Sequence, residues 1–204
     1  MPLGAHKAAI MGVSGTATTG DVVLLSSQTA SGDSTLDFTD GITSTYGEYI
    51  FKFYNINLDT DGTTFGFQAN GAGESDYDET ITSTFFNANH AEADNWTSLN
   101  YNTGSDQAEG TAFQHLNIQQ SDDADSGLVG ELHLFNPAST TYVKHFFGRT
   151  SAMWYTTNQP QYGDAFCADY YVAGYFNTTT AIDDIQFKAA SGNFDGTIKM
   201  WGVK

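Results

Sequence analysis

The sequence predicts an all-β protein: one β-sandwich of jelly-roll or lectin-like type, preceded by an N-terminal arm. Three observations carry this. Short segments alternate apolar and polar residues with a period of two, which puts every second side chain on one face of a strand. The 15 Phe, 11 Tyr and 21 Gly, against only 3 Pro, suit pleated strands joined by tight turns. No stretch carries helical periodicity beyond two turns, so the strands are not interleaved with helices as a βαβ fold requires. At 204 residues the chain has the size at which such sandwiches stay undivided and bury a core without staples.

Residues 1–20 are rich in Gly, Ala, Ser and Thr and show little periodicity, so they read as an arm, and residues 21–204 as the sandwich domain. The arm's larger side chains, Met1, Pro2, Leu3, His6, Ile10 and Met11, are the ones expected to pack on a neighbouring subunit. Asp21 to Ser26 is a short apolar strand, and Thr35 to Thr39 alternates with Leu36 and Phe38 inward. In Tyr46 to Asn57, Tyr49, Phe51 and Phe53 share one face. With Thr63 to Asn70 this strand reads as a hairpin around Leu58 to Gly62. Glu79 to Phe86 resumes strand spacing after a Gly-rich loop, and the polar stretch Asn87 to Gly110 reads as an excursion or a short helical turn. Thr111 to Gln119 alternates again. Leu128 to Phe135 and Thr141 to Phe147 form a hairpin around Asn136-Pro137, and Met153 to Thr156 and Phe166 to Phe176 add strands. Thr180 to Lys204 reads as a closing hairpin, with Ile185 and Phe187 inward on one arm and Ile198 and Met200 on the other. The total is ten to twelve strands.

The formal charge is −17, from 24 acidic and 7 basic residues. Direct contact with nucleic acid or an anionic membrane needs a positive surface and is not expected. Such acidity suits a salty medium, where self-repulsion is screened. No stretch approaches the roughly 20 apolar residues of a membrane span, and Ala8 to Met11 is too short for the core of a signal peptide. The single cysteine, Cys167, lies in an apolar run and reads as a buried, inert thiol.

Several clusters invite a chemical reading. Glu74, Asp76 and Glu79 have the spacing of paired carboxylates on a strand, the arrangement glycosidases use, but they sit in a Gly-rich loop where a solvated turn is the simpler account. Asp59 and Asp61, and separately Asp122, Asp123 and Asp125, offer oxygens to a calcium ion, although neither stretch completes a calcium-loop pattern. His115, His133 and His145 fall on different strands, where convergence on a metal competes with scattered sheet-face positions. No nucleophile elbow, phosphate loop or dinucleotide fingerprint is present, and no enzyme activity is expected. The aromatic residues Trp96, Tyr101, Trp154, Tyr155, Tyr162, Tyr170, Tyr171, Tyr175 and Trp201 cannot all be core and point to a protein interface or a sugar-stacking surface, with Trp96, Trp154, Tyr155 and Tyr162 the candidates for a sugar groove.

The opening MPLGAHKAAIMGVSG, the stretch EYIFKFYNIN with the following FGFQANGAG, and the closing IDDIQFKAASGNFDGTIKMWGVK resemble a family of small β-sandwich proteins of marine tailed phages. Trp201 stands where that family usually has Tyr in its closing motif. The resemblance touches about half of the chain. It implies a non-enzymatic virion structural protein, assembled in the host cytoplasm, such as a capsid decoration, fibre or tail-associated subunit. The implied partners are other virion proteins and further copies of the chain, with a trimer favoured. A carbohydrate-binding module that recognises host surface glycans is the alternative, and a phage appendage can combine both.

Overall fold

The computed structural model describes residues 21–155 and 165–204. The described residues form twelve strands and no helix: β1 (Val22–Asp33), β2 (Thr35–Phe38), β3 (Glu48–Leu58), β4 (Phe65–Gly71), β5 (Ile81–Ala91), β6 (Thr97–Tyr101), β7 (Gln114–His115), β8 (Leu128–Phe135), β9 (Lys144–Tyr155), β10 (Ala165–Phe176), β11 (Ile182–Ala189) and β12 (Phe194–Val203). All pairings are antiparallel. One sheet has eight strands in the order β1-β12-β3-β8-β9-β10-β5-β6, the other four in the order β2-β11-β4-β7. Stacked face to face they make the expected β-sandwich.

The core lies where the alternation puts it. Tyr49, Phe51 and Phe53 of β3 and Ile198 and Met200 of β12 are buried and meet Phe38, Phe65, Phe67 and Phe187 of the smaller sheet. Phe187 is the hub. Its ring lies 5.3 Å from Phe51 and 5.4 Å from Phe53 across the sandwich, and 6.0–6.4 Å from Phe38, Phe65 and Phe67 within its own sheet. Four of these contacts are edge-on or tilted, as the ring quadrupole favours, and the Phe65 ring is stacked.

Two expected hairpins are arches instead. β11 and β12 do not pair: β11 lies between β2 and β4, and β12 between β1 and β3 in the other sheet. β3 and β4 are split between the sheets in the same way. Hydrogen bonds join the two arches. The β11–β12 connection bonds to the β3–β4 connection, with Asn193 N donating to Asp59 Oδ1 at 2.8 Å, Asp59 N to the Asn193 carbonyl at 3.1 Å and Ala190 N to the Thr64 carbonyl at 2.8 Å. The two arches thus nest against each other, and each sends its second strand across the core. The apolar face of an arm is the same in a hairpin and in an arch, so alternation does not separate them. β8 and β9 do form the expected hairpin.

Other boundaries also move. β9 is one strand through Gly148 to Ala152, since Gly148, Thr150 and Ala152 keep the inward phase behind polar neighbours. Asn87 to Gly110 holds no helix; β5 runs on to Ala91 and pairs with β6. Of Thr111 to Gln119 only Gln114 and His115 pair as a strand. There, buried side-chain amides replace the ladder: Phe65 N donates to Asn117 Oδ1 at 2.6 Å, and Gln120 Nε2 donates to the Ile56 carbonyl at 2.8 Å. This stretch covers the inner face of β9, β10 and β5 that the smaller sheet does not reach. Thr150 Oγ1 donates to the Leu116 carbonyl, and Tyr170 O–H to the Gln119 carbonyl at 3.3 Å. Burial there pushes the Tyr170 phenol up to about 12.

Candidate functional site

The inner face of the eight-stranded sheet is committed to the core, and its outer face carries what remains. Ten large apolar side chains among the described residues are exposed; all but Tyr142, hence nine, sit at outward positions of this sheet. Cross-strand register arranges the outward residues in rows. One row runs Leu24, Trp201, Ile50, His133, Phe147 and Ala173. The next runs Lys199, Lys52, Glu131, Arg149, Tyr171 and Phe86. Rings stack along the face: Phe86 on Tyr171 at 4.9 Å, and Phe147 between His133 at 4.5 Å and Phe135 at 5.6 Å.

The charges on this face cancel. In the four rows from the level of Val203 to that of Thr197 the charged residues are Lys52, Lys199 and Arg149 against Glu48, Glu131 and Asp169, three of each sign. They are paired. Arg149 donates to both oxygens of Asp169 at 3.0 and 2.7 Å while lying 4.9 Å over the Tyr171 ring. Lys52 Nζ is 3.2 Å from Glu131, and His133 Nδ1 is 2.5 Å from Glu48 Oε1. Burial pushes the Glu131 carboxyl up, but hydrogen bonds from His133 and Lys52 outweigh it and hold the group below its usual range. A protein of formal charge −17 therefore has one broad face that is apolar, ring-lined and locally neutral.

Two shallow depressions mark the face. One, of about 490 Å³, lies over Ala173 between Phe147, Tyr175, Phe135 and His145, with Thr82 and Thr84 at its edge. The other, of about 500 Å³, lies beside the Arg149–Asp169 pair over Ser151 and Cys167. Cys167 is exposed there, not buried, because it falls on an outward position between the inward Phe166 and Ala168.

The aromatic residues singled out from the sequence divide between core and outer face: Tyr101, Tyr171 and Tyr175 are on the outer face, and Tyr170 is buried. Trp154 points inward and is buried, 5.0 Å from Phe166, and Trp96 packs 5.5 Å from the same ring at the core margin. Tyr155 and Trp201 do belong to the outer face, on different strands. Tyr162 and the arm residues Met1, Pro2, Leu3, His6, Ile10 and Met11 lie outside the described residues. The calcium candidates are dispersed. Asp59 accepts hydrogen bonds from Asn193 N and Thr60 Oγ1, Asp61 sits in the same connection, and Asp122, Asp123 and Asp125 stand in the turn before β8. Among the described residues, no group of three His, Cys, Asp or Glu side chains stands close enough to hold a metal ion. His133 and His145 are on the outer face, whereas His115 is on the smaller sheet, 3.3 Å from Ser105 Oγ, where burial lowers its pKa.

Glu74 and Glu79 do meet, but not as a glycosidase pair. Their carboxyls hydrogen-bond to each other, whereas a retaining pair stands about 5–5.5 Å apart. They fill the space above Gly71, where a Cβ would lie 2.7 Å from Glu79 Oε1 and 2.9 Å from Glu74 Oε2. Burial, then the Glu74 charge and the shared hydrogen bond, raise the Glu79 pKa above 4.5, with Asp78 adding and the Gly71 backbone opposing. The buried Lys144 is the nearby cation, its ammonium donating to the Tyr142 and Thr178 carbonyls at 2.9 and 3.1 Å. A raised folded-state pKa means that the folded chain holds this proton more tightly than the unfolded one. That stability is present below about pH 4.5 and is lost as pH rises through the raised value. Glu79→Gln keeps a hydrogen-bond partner for Glu74 without the second charge. It is expected to raise the melting temperature at neutral pH and flatten its pH dependence. A lower neutral-pH melting temperature would show that attraction between Glu79 and Lys144 outweighs the carboxylate repulsion.

Phe135 and Phe147 of these rows were missed, and Tyr171 was singled out only as one of nine aromatic residues, because such residues look like core residues in sequence. The available signal was phase: each is one position out of step with an inward neighbour (Leu134, Phe146 and Tyr170). No protein-family model, no curated protein and no solved structure matches the chain.

Proposed function

We propose that the chain is a non-enzymatic structural subunit of a tailed-phage virion, placed on the exterior of the particle as a capsid decoration or a tail- or fibre-associated protein. It works through protein–protein assembly, and the outer face of the eight-stranded sheet is its contact with neighbouring copies. The virion assignment rests on the sequence resemblance. The observation that supports assembly is the gathering of eight exposed apolar side chains, the nine less Tyr155, within the four charge-balanced rows of one face. Copies that each carry −17 repel, and this neutral face is where they approach at least electrostatic cost. Its size fits. Eight strands about 4.8 Å apart and four rows about 6.6 Å apart give roughly 700–900 Å², near the 800 Å² or so per partner of a standard interface.

The purified protein is expected to be an oligomer in light scattering, with a trimer favoured. Phe147→Glu, at an exposed central position, is expected to weaken that oligomer about 30-fold or more, as loss of a buried anchor does. A wild-type monomer at every concentration would overturn the assembly reading. Antibody labelling confined to host lysate, with none on purified virions, would overturn the virion reading.

The depression between Phe147, Tyr175 and His145 supports one second reading, a carbohydrate-binding module. Flat ring faces beside the Thr82 and Thr84 hydroxyls suit a sugar ring's apolar face and its hydroxyl rim. Saturable binding to a host surface glycan, lost in Phe147→Ala, would favour it, and flat titrations across a broad glycan panel would dismiss it.

A further inference from the structure

The β1 end of the outer face adjoins a segment of opposite character. β1 pairs with β12 on one side, and no described strand pairs with its other side. Leu24, Trp201 and Ile50 form an apolar strip across β1, β12 and β3, with Val22 and Val203 in the adjoining row beside Glu48. Val22 and Leu24 are 54% and 45% exposed. The chain enters this strip directly from residues 1–20.

Those twenty residues contain no acid and one lysine, Lys7, so the other 184 residues carry −17 − 1 = −18. Their larger apolar side chains, Met1, Leu3, Ile10, Met11 and Val13, all fall within the first thirteen positions. Ser14 to Gly20 is a small, polar spacer of seven residues.

We propose that residues 1–13 of a neighbouring copy dock on the Leu24–Trp201–Ile50 strip, so that subunits are joined by exchanged arms. The inference rests on the assembly reading and names the segment that covers this end of the face. Charge favours it, because a cationic, acid-free segment is drawn to a body that carries −18. Reach allows both the chain's own arm and a neighbour's, and chain direction favours the neighbour's. A seven-residue spacer extends up to about 23 Å, whereas Leu24 lies three residues, about 10 Å, beyond Asp21 on the same strand. An arm returning to its own strip must reverse within the spacer, while an arm running outward reaches a neighbour without reversal.

The test uses the full-length chain. Light scattering compares the wild type with Ile10→Asp/Met11→Asp in the arm, Leu24→Asp in the strip, and all three changes together. Leu24 is exposed, so its substitution leaves the core intact, which circular dichroism verifies. The arm and strip variants are each expected to raise the dissociation constant about 30-fold, and the combined variant to go little further, because both remove one contact. A photo-crosslinker at position 10 is expected to join two chains. An oligomer unaffected by the arm changes but broken by Phe147→Glu would overturn arm exchange and leave the assembly reading standing. Crosslinks formed only within one chain would overturn exchange in favour of self-covering. A wild-type monomer would remove both.

Discussion

Phe187→Ala is expected to lower stability by about 4–5 kcal/mol, the largest loss from any single core truncation here. Truncating a buried Phe costs about 3–5 kcal/mol through lost transfer energy and the cavity left behind. Phe187 stands at the upper end because its fully buried ring contacts five others, on β2, β3 and β4. Those rings belong to both sheets, so collapse around the gap would require the sheets to move together, and close packing resists that. The check is guanidinium unfolding with the midpoint and slope fitted separately. A loss below about 2 kcal/mol would show that the sandwich relaxes into the gap. Phe194→Ala, whose ring contact at 5.1 Å is with Phe65, is expected to cost less.

Gly130→Ala is expected to cost about 3 kcal/mol or more, through the backbone and not the core. In β3 the inward set changes from Tyr49, Phe51 and Phe53 to Ile56 and Leu58, an odd-to-even switch. A bulge at Tyr54 and Asn55 makes it, with Asn55 at φ 50° and irregular register against both neighbouring strands. Glycines flank it on each side. Gly196 of β12 has φ 130°, and a Cβ there would lie 2.7 Å from the Asn55 carbonyl oxygen. Gly130 of β8 has φ 154°, and its Cβ would lie 2.3 Å from the Arg149 carbonyl oxygen and 2.7 Å from Thr150 Cα. Backbone cannot yield as a side-chain tip can. Gly62→Ala is the control: φ is 71° but nothing lies within 4 Å, so only the left-handed penalty of about 1–2 kcal/mol is expected. Equal losses at the two positions would mean that strain in φ, and not the close approach of the β9 backbone to Gly130, sets the cost.

The resemblance and the site draw on different parts of the chain. In the closing motif Ile182, Ile185, Phe187, Phe194 and Ile198 are all buried, and its turn forms the nested arch. The motif therefore describes how the sandwich closes. It reaches the outer face at Trp201 and its immediate outward neighbours, while the rings that dominate the face come from β8, β9, β10 and β5.

Alternation along the chain was enough to specify the all-β class and nearly every strand, because a period of two is written locally wherever one face is buried. It also determined the inward identity of Tyr49, Phe51, Phe53, Ile185, Phe187, Ile198 and Met200. What it left open is which strand lies beside which. An arch and a hairpin ask the same alternation of their arms, so the sheet membership of β4 and β12 follows from how the two sheets pack, with bonds between Asp59, Asn193, Thr64 and Ala190 tying the arches together. The outer face was hidden for a related reason. Phe147 and Phe146 are chemically the same residue, and only the closing of one sheet over the other decides which ring is core and which is left at the surface.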